Sequence, residues 1–301
     1  MRWIPGGRSR NLEDRRGASG GAGGGGMGGG PRGGMRLGLG GMVLLLVLSL
    51  IFKRDLITPV MGGLDGAVGG NAPSAMSPGG AASPAPVNDP AEEDLVQFVS
   101  MVLDSAQSTW QRHIPRYREA RLVLFRNATP SACGLGESAT GPFYCPGDDR
   151  VYIDLAFFDQ LHAQFGAPGD FAQAYVLAHE VGHHVQNVLG TEQQVRRLQG
   201  ENPGARNRLS VAMELQADCY AGVWAFDAAR ANMLEAGDID EGLNAAAAVG
   251  DDRLQQMGGG RVRPESFTHG SSAERRQWFR RGFESGDPRQ CDTFAALGQG
   301  R

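Results

Sequence analysis

One lysine (Lys53), four cysteines and six histidines are all that 301 residues hold of those three types. Four cysteines are too few for a disulfide-dense scaffold but allow two bridges. Basic residues are scarce where folding is possible: residues 91–301 carry 20 arginines against 28 acids, a net charge of −8. Phosphate binding rests on clustered Lys and Arg, so nucleic acid is excluded as the main partner. Long apolar runs are missing as well. The longest, Leu37 to Phe52, has sixteen residues, about 24 Å as a helix against a hydrocarbon core of ~30 Å. What abounds is glycine, and unevenly. The first 90 residues hold 24 of the 46 glycines with eight arginines, Lys53 and five acids, a net +4. The remaining ~210 residues suffice for one well-buried core.

The glycine tract over 17–41 offers no side chains to bury and loses much backbone entropy on ordering, so residues 1–36 are expected to be a disordered tail. The apolar run is then expected to be a membrane anchor over 37–57. Its shortfall is bridged by Arg36, Lys53 and Arg54 reaching the interface, or by Leu56–Met61 continuing the span. A cleaved signal peptide competes, but no small-x-small site follows Arg54. Seven arginines precede the run and two basic residues follow it. A single crossing with the tail in the cytoplasm is therefore expected, exporting everything beyond it to the periplasmic side of a bacterial inner membrane. Residues 58–91 read as a flexible linker, and 92–298 as the folded domain. Export makes disulfides expected. Of three pairings for Cys133, Cys145, Cys219 and Cys291, Cys133–Cys145 with Cys219–Cys291 is preferred; a free Cys219 is the runner-up.

The domain reads as α+β, mostly helical with a short sheet. Leu95–Trp110 is apolar along one helical face. Arg121–Phe125 and Arg150–Leu155 are short strands, with loop over 134–149 between them. A helix follows with Asp170 as N-cap, Gln173 in the capping-box position and Gly190 closing it. A second runs over 206–231. A third starts at the Ser271-Ser-Ala-Glu274 capping box and ends near Gly286.

The first of these three helices carries His179-Glu180-Val-Gly-His183. His179 and His183 are one turn apart and about 40° out of line, so both imidazoles can meet one metal ion. Glu180 lies 100° round, beside the metal, where its carboxylate can take a proton from water. Gly182 leaves room for backbone or substrate, and His184 points too far round to join. A zinc site needs a third ligand. Gln186 and Leu189 stand where a metzincin would have Gly and His. Glu214 is the best candidate, with Asp218 one turn further on to accept the outer N–H of a ligand histidine. Their helix is apolar enough (Leu215, Ala217, Ala221, Val223, Trp224) that unpaired acids would be costly. For the oxyanion that hydrolysis develops, His269 is the best remaining donor and Tyr220 a weaker one. His113 and His162 show no spacing that suggests a role.

These segments, with Glu214-Leu-Gln-Ala-Asp-Cys-Tyr-Ala-Gly222, the Cys-bounded loop before Val151-Tyr-Ile-Asp154, and Phe267-Thr-His-Gly through Cys291-Asp-Thr-Phe294, resemble the bacterial neutral zinc metallopeptidase family. The resemblance spans 1–298 and is strongest from about 120 onward. It implies a zincin-type α+β domain behind one membrane anchor, Zn2+ on His179 and His183, and Glu180 as base. The Glu-x-x-x-Asp arrangement is similar, more distantly, to that of membrane-associated gluzincins, which supports Glu214. The expected activity is hydrolysis of a peptide or protein substrate by activated water. The Val151–Leu155 segment is the expected edge strand that aligns the peptide. A catalytically inactive zinc-binding scaffold is the rival reading, and a structural membrane protein with an accidental motif is the second.

Overall fold

Val123 and Tyr152 sit on adjacent strands with no surface left for water, as do Leu122, Leu124, Val151 and Ile153 on the opposite face. A strand apolar on both faces belongs inside a sheet, and a computed structural model of the chain places both there. It describes residues 1–17, 90–138, 141–165 and 169–297. The four-stranded sheet runs in the order β1 (Leu12–Asp14), β2 (Arg121–Phe125), β6 (Arg150–Asp154), β5 (Phe143–Cys145). β1, β2 and β6 are parallel, and β5 is antiparallel to β6. Between β2 and β5 the chain forms a hairpin of β3 (Ala128–Ser131) and β4 (Gly134–Glu137). So the stretch over 134–149 is not simply loop: it holds β4 and β5, too short and too rich in glycine to show an alternating pattern.

One face of the sheet supports the helices. α1 (Pro90–His113) buries Val96, Val99, Val102, Leu103, Ala106 and Trp110, the stripe its periodicity predicts. After α2 (Ala156–Phe165) come α3 (Asp170–Val188), α4 (Thr191–Glu201), α5 (Arg206–Arg230), α6 (Asp238–Ala248), α7 (Asp251–Met257) and α8 (Ser272–Ser285). Gly169, not Asp170, is the N-cap of α3, and no side chain caps it. Asp170 instead takes the Met1 ammonium on both carboxylate oxygens at 2.7 Å. α8 has the expected Ser271/Glu274 capping box and closes at Gly286.

Three glycines set how closely the central helices meet. A Cβ on Gly182 of α3 would lie 3.0 Å from the Ala217 carbonyl oxygen of α5. The room at Gly182 is thus taken by a neighbouring helix rather than by substrate. On the other side of α5, a Cβ on Gly222 would fall 2.1 Å from the Phe279 carbonyl oxygen, and one on Gly282 1.9 Å from that of Cys219. Both disulfides have the preferred pairing. Cys133–Cys145 ties the hairpin to β5, and Cys219–Cys291 ties α5 to the carboxy-terminal segment.

The expected disordered tail is corrected over residues 1–17, which fold onto the domain. β1 pairs along β2 from Leu12↔Leu122 to Asp14↔Leu124. Met1 is buried in the main core with Trp3 packed beside it. The rest of the tail, the apolar run and most of the linker lie outside the described residues. Among the described residues no helix is long and apolar enough to cross a membrane.

Candidate active site

α3 and α5 cross at Gly182, and this crossing brings the two halves of the site together. The Nε2 atoms of His179 and His183 face Glu214 at 3.3 and 3.5 Å. The ligand atoms of the three residues all lie within 4.8 Å of one another. Two neutral imidazoles and a carboxylate converging on one point are a donor set that zinc takes, with a fourth position left for water. The outer ring nitrogens fit the same reading. His179 Nδ1 donates to Asp218 Oδ1 at 2.9 Å, and His183 Nδ1 to Gln186 Oε1 at 2.9 Å. Both bonds leave Nε2 as the nitrogen that faces Glu214. Asp218 thus meets His179 on the ring nitrogen opposite the one that faces Glu214.

Asp218 has no exposed surface, and a carboxylate there needs compensation. Arg275 of α8 supplies it, donating Nε to Oδ2 at 2.8 Å and Nη2 to Oδ1 at 2.9 Å. Tyr175 of α3 donates its hydroxyl to Oδ1 at 2.5 Å. Burial raises the Asp218 pKa, but Arg275 and His179 outweigh it and hold the carboxyl below its ordinary value. The same chain of charges acts on His179. Burial disfavours its protonated form, yet Asp218 and Glu214 prevail and lift its pKa to about 9.

Glu180 is buried next to His179 on α3 and lines the cleft. Its carboxylate makes no hydrogen bond or ion pair with the described residues, which leaves both oxygens available to a proton. The cleft has a volume of about 770 Å³ and is walled by the β3–β4 hairpin, β5, α4 and the loop holding His269. His269 lines the same cleft as His179, His183 and Glu214. Asp251 at the start of α7 fixes that loop, accepting the backbone N–H groups of Thr268, His269 and Gly270 on Oδ2 at 2.7, 2.6 and 3.0 Å. Its Oδ1 lies 3.2 Å from His269 Nδ1. Burial works against charge on His269, but Asp251 and Glu214 raise its pKa. Nε2 is the ring nitrogen left for the cleft.

Some expectations are redirected. β6 is an interior strand, so Val151–Leu155 cannot receive a peptide; the sheet edge on the cleft is β5, through Phe143 and Tyr144. Tyr220 packs on Trp110 at 5.0 Å and does not line the cleft. His184 is structural: its Nε2 donates to the Arg118 carbonyl at 2.6 Å. Gln186, Tyr175, Asp251 and Arg275 are supports that sequence reasoning missed. Arg275 had one available signal, since it falls in line with Phe279 and Gly282 at i, i+4 and i+7, the buried side of α8.

A mostly helical α+β domain with a His-His-Glu donor set and an adjacent carboxylate defines a class, that of proteins with a candidate metal centre on a cleft. Residues 1–294 match the family described as "Putative neutral zinc metallopeptidase". The chain belongs to that family. It is 47% identical over 300 residues to the uncharacterized protein YpfJ of Escherichia coli K12, covering 98% of this chain and 99% of that protein. It is 46% identical over 208 residues to the uncharacterized protein Rv2575 of Mycobacterium tuberculosis H37Rv, covering 65% of this chain and 70% of that one. No solved structure matches.

Proposed function

We propose that this protein is a zinc-dependent peptidase acting on a peptide or protein substrate on the extracytoplasmic side of a bacterial inner membrane. The observation that carries the activity is the uncommitted Glu180 carboxylate beside three converging ligands on an open cleft. Zinc bound by His179, His183 and Glu214 supplies Lewis acidity, lowering the pKa of water and polarising a carbonyl. Glu180 takes a proton from the attacking water on its carboxylate and passes it to the nitrogen of the leaving amine. His269, with Nδ1 turned to Asp251, presents Nε2 to the developing oxyanion. The free edge of β5 offers backbone N–H and C=O groups to an extended peptide. Two disulfides support placement in an oxidising compartment.

The test is hydrolysis of a mixed peptide library by the zinc-loaded full chain beside its Glu180→Gln variant. Cleavage by the parent alone, with one zinc bound to each, is the expected result. Equal cleavage by both would remove Glu180 as base. No cleavage by either despite bound zinc would overturn the peptidase reading in favour of a zinc-binding scaffold.

A further inference from the structure

A strand cannot pair with its neighbour through a lipid bilayer. Paired strands lie about 4.8 Å apart, whereas the hydrocarbon core is ~30 Å thick. β1 is such a neighbour. It is separated from β2 by the whole glycine tract and apolar run, yet it hydrogen-bonds along β2. The Leu122 N–H donates to the Asn11 carbonyl at 2.9 Å, and the Arg15 N–H to that of Leu124 at 2.7 Å.

The docking of residues 1–17 is not confined to that strand. The Arg2 N–H donates to the Met233 carbonyl at 2.7 Å, and the Trp3 ring meets Phe98 at 5.5 Å. Ser9 donates to Asp104 at 2.6 Å. Arg8 pairs with Glu93, Arg10 with Glu119 and Arg16 with Glu92. These contacts reach α1, β2 and the turn after α5, so the segment wraps the domain that carries the cleft.

We infer that residues 1–17 and the active-site cleft lie on the same face of any membrane the chain meets, so that the apolar run at 37–52 does not cross it. The segment between two points on one side crosses an even number of times. Residues 18–89 contain a single extended apolar run, and it is followed by Lys53, Arg54 and Asp55 and then by glycine-rich sequence. One run cannot supply two crossings, which leaves none. A β1 strand donated by a second copy changes nothing, because copies inserted alike present their termini alike.

The same contacts remove the ground for the opposite topology. Counting positives put the amino terminus in the cytoplasm because seven arginines precede the run. Four of them, Arg2, Arg8, Arg10 and Arg16, pair with carboxylates of the domain, and a fifth, Arg15, donates to Thr129 and the Pro130 carbonyl while pairing with Glu13 of its own segment. Their presence is explained by docking, which leaves Arg32 and Arg36 against Lys53 and Arg54, no imbalance at all.

The inference stands apart from the peptidase reading and from the choice of compartment, and one experiment separates them. The native cysteines are all in disulfides, so a single new thiol can be labelled. Ile4→Cys (the residue is 84% exposed) reports the amino-terminal segment, and Met257→Cys (41% exposed) reports the domain. Each full-length variant, expressed in bacterial spheroplasts, is treated with a membrane-impermeant maleimide before and after lysis. We expect the ratio of label before lysis to label after it to be the same at both positions, whether both are reached from outside or both are protected. Labelling at one position with protection at the other overturns the inference. So does a mature chain that has lost residue 4, seen as absence of label from the domain-bearing band after lysis. Protection of both would overturn the extracytoplasmic placement while leaving this inference intact.

Discussion

Two parts of this protein are held by arginine–carboxylate pairs, and they use them in opposite ways. Around the ligands, one arginine, Arg275, lies 3% exposed against an Asp218 with no exposure at all. Along the amino-terminal segment several arginines pair in water: Arg10 is 78% exposed opposite Glu119, and Arg8 is 40% exposed opposite Glu93. A buried pair gains little over apolar packing, but removal of one partner strands the other. An exposed pair contributes little and strands nothing. The site is therefore brittle, which suits a ligand histidine that must not turn. Most terms that attach the amino-terminal segment are small and separable, the exceptions being the buried Arg16 between Asp14 and Glu92 and the buried Met1 ammonium on Asp170.

The largest effect tests the chemistry that the brittle part supports. Glu180→Gln keeps the shape of the side chain and removes the base, so hydrolysis should fall by about 10²–10⁴-fold. Zinc stoichiometry by metal analysis should remain at one. A variant with unchanged turnover would detach Glu180 from catalysis.

Next comes the buried pair. Arg275→Met leaves Asp218 charged, buried and without its main partner, and chemical denaturation of the metal-free protein should show a loss of about 3–5 kcal/mol. Adding Asp218→Asn removes the stranded charge, so the double variant should be less destabilised than the two single losses combined. A loss below about 1 kcal/mol for Arg275→Met would mean that the pair is hydrated, and the contrast between the two regions would fail.

Helix contact ranks third. Gly282→Ala pushes a methyl group to 1.9 Å from the Cys219 carbonyl oxygen, and overpacking of this kind costs about 1–3 kcal/mol or more. Gly200 of α4 has nothing within 4 Å of an added Cβ. Gly200→Ala should thus be neutral or stabilising by up to about 1 kcal/mol, from reduced backbone entropy in the unfolded chain. Thermal melts of both variants check the difference in sign.

What could be read from the sequence divides along the same line. The clustering of His179, His183 and Glu214 was legible because helical spacing decides which residues share a face: one turn separates His179 from His183, and one turn separates Glu214 from Asp218 behind it. The Ser271/Glu274 capping box is equally local. Strand order is not local. β5 has three residues and no alternation, so nothing in Phe143-Tyr-Cys145 announces the sheet edge, and the more apolar β6 took that role by default. Residues 1–17 were hidden by their neighbour. Arginines next to a glycine tract have the composition of a tail, while the contacts that dock them lie far along the chain, from Glu92 and Glu93 to Glu235. Arg275 was one arginine among many, and the carboxylate that explains its burial is on another helix.

The smallest predicted effect concerns the attachment of that amino-terminal segment. The bond from Arg8 holds Glu93 below its ordinary pKa, and bonds from Asn11 and Arg10 do the same for Glu119. For such groups the undocked form binds a proton more readily than the docked one, so the stability they lend is fully present above the ordinary carboxylate value of about 4.3. It is lost as the pH falls through their lowered values. Each exposed pair is worth at most about 1 kcal/mol and is screened by salt. A polarity-sensitive dye on Ile4→Cys should therefore report loosening of the segment only under acid, and at higher pH when salt is raised. Arg10→Ala should shift that transition upward by a few tenths of a pH unit, because Glu119 then loses one of the bonds that keep it ionised. The Arg275–Asp218 pair, buried away from solvent ions, should show no comparable salt dependence. A dye transition that ignores salt would place the burial of Met1 and Trp3, rather than the arginines, in control of docking.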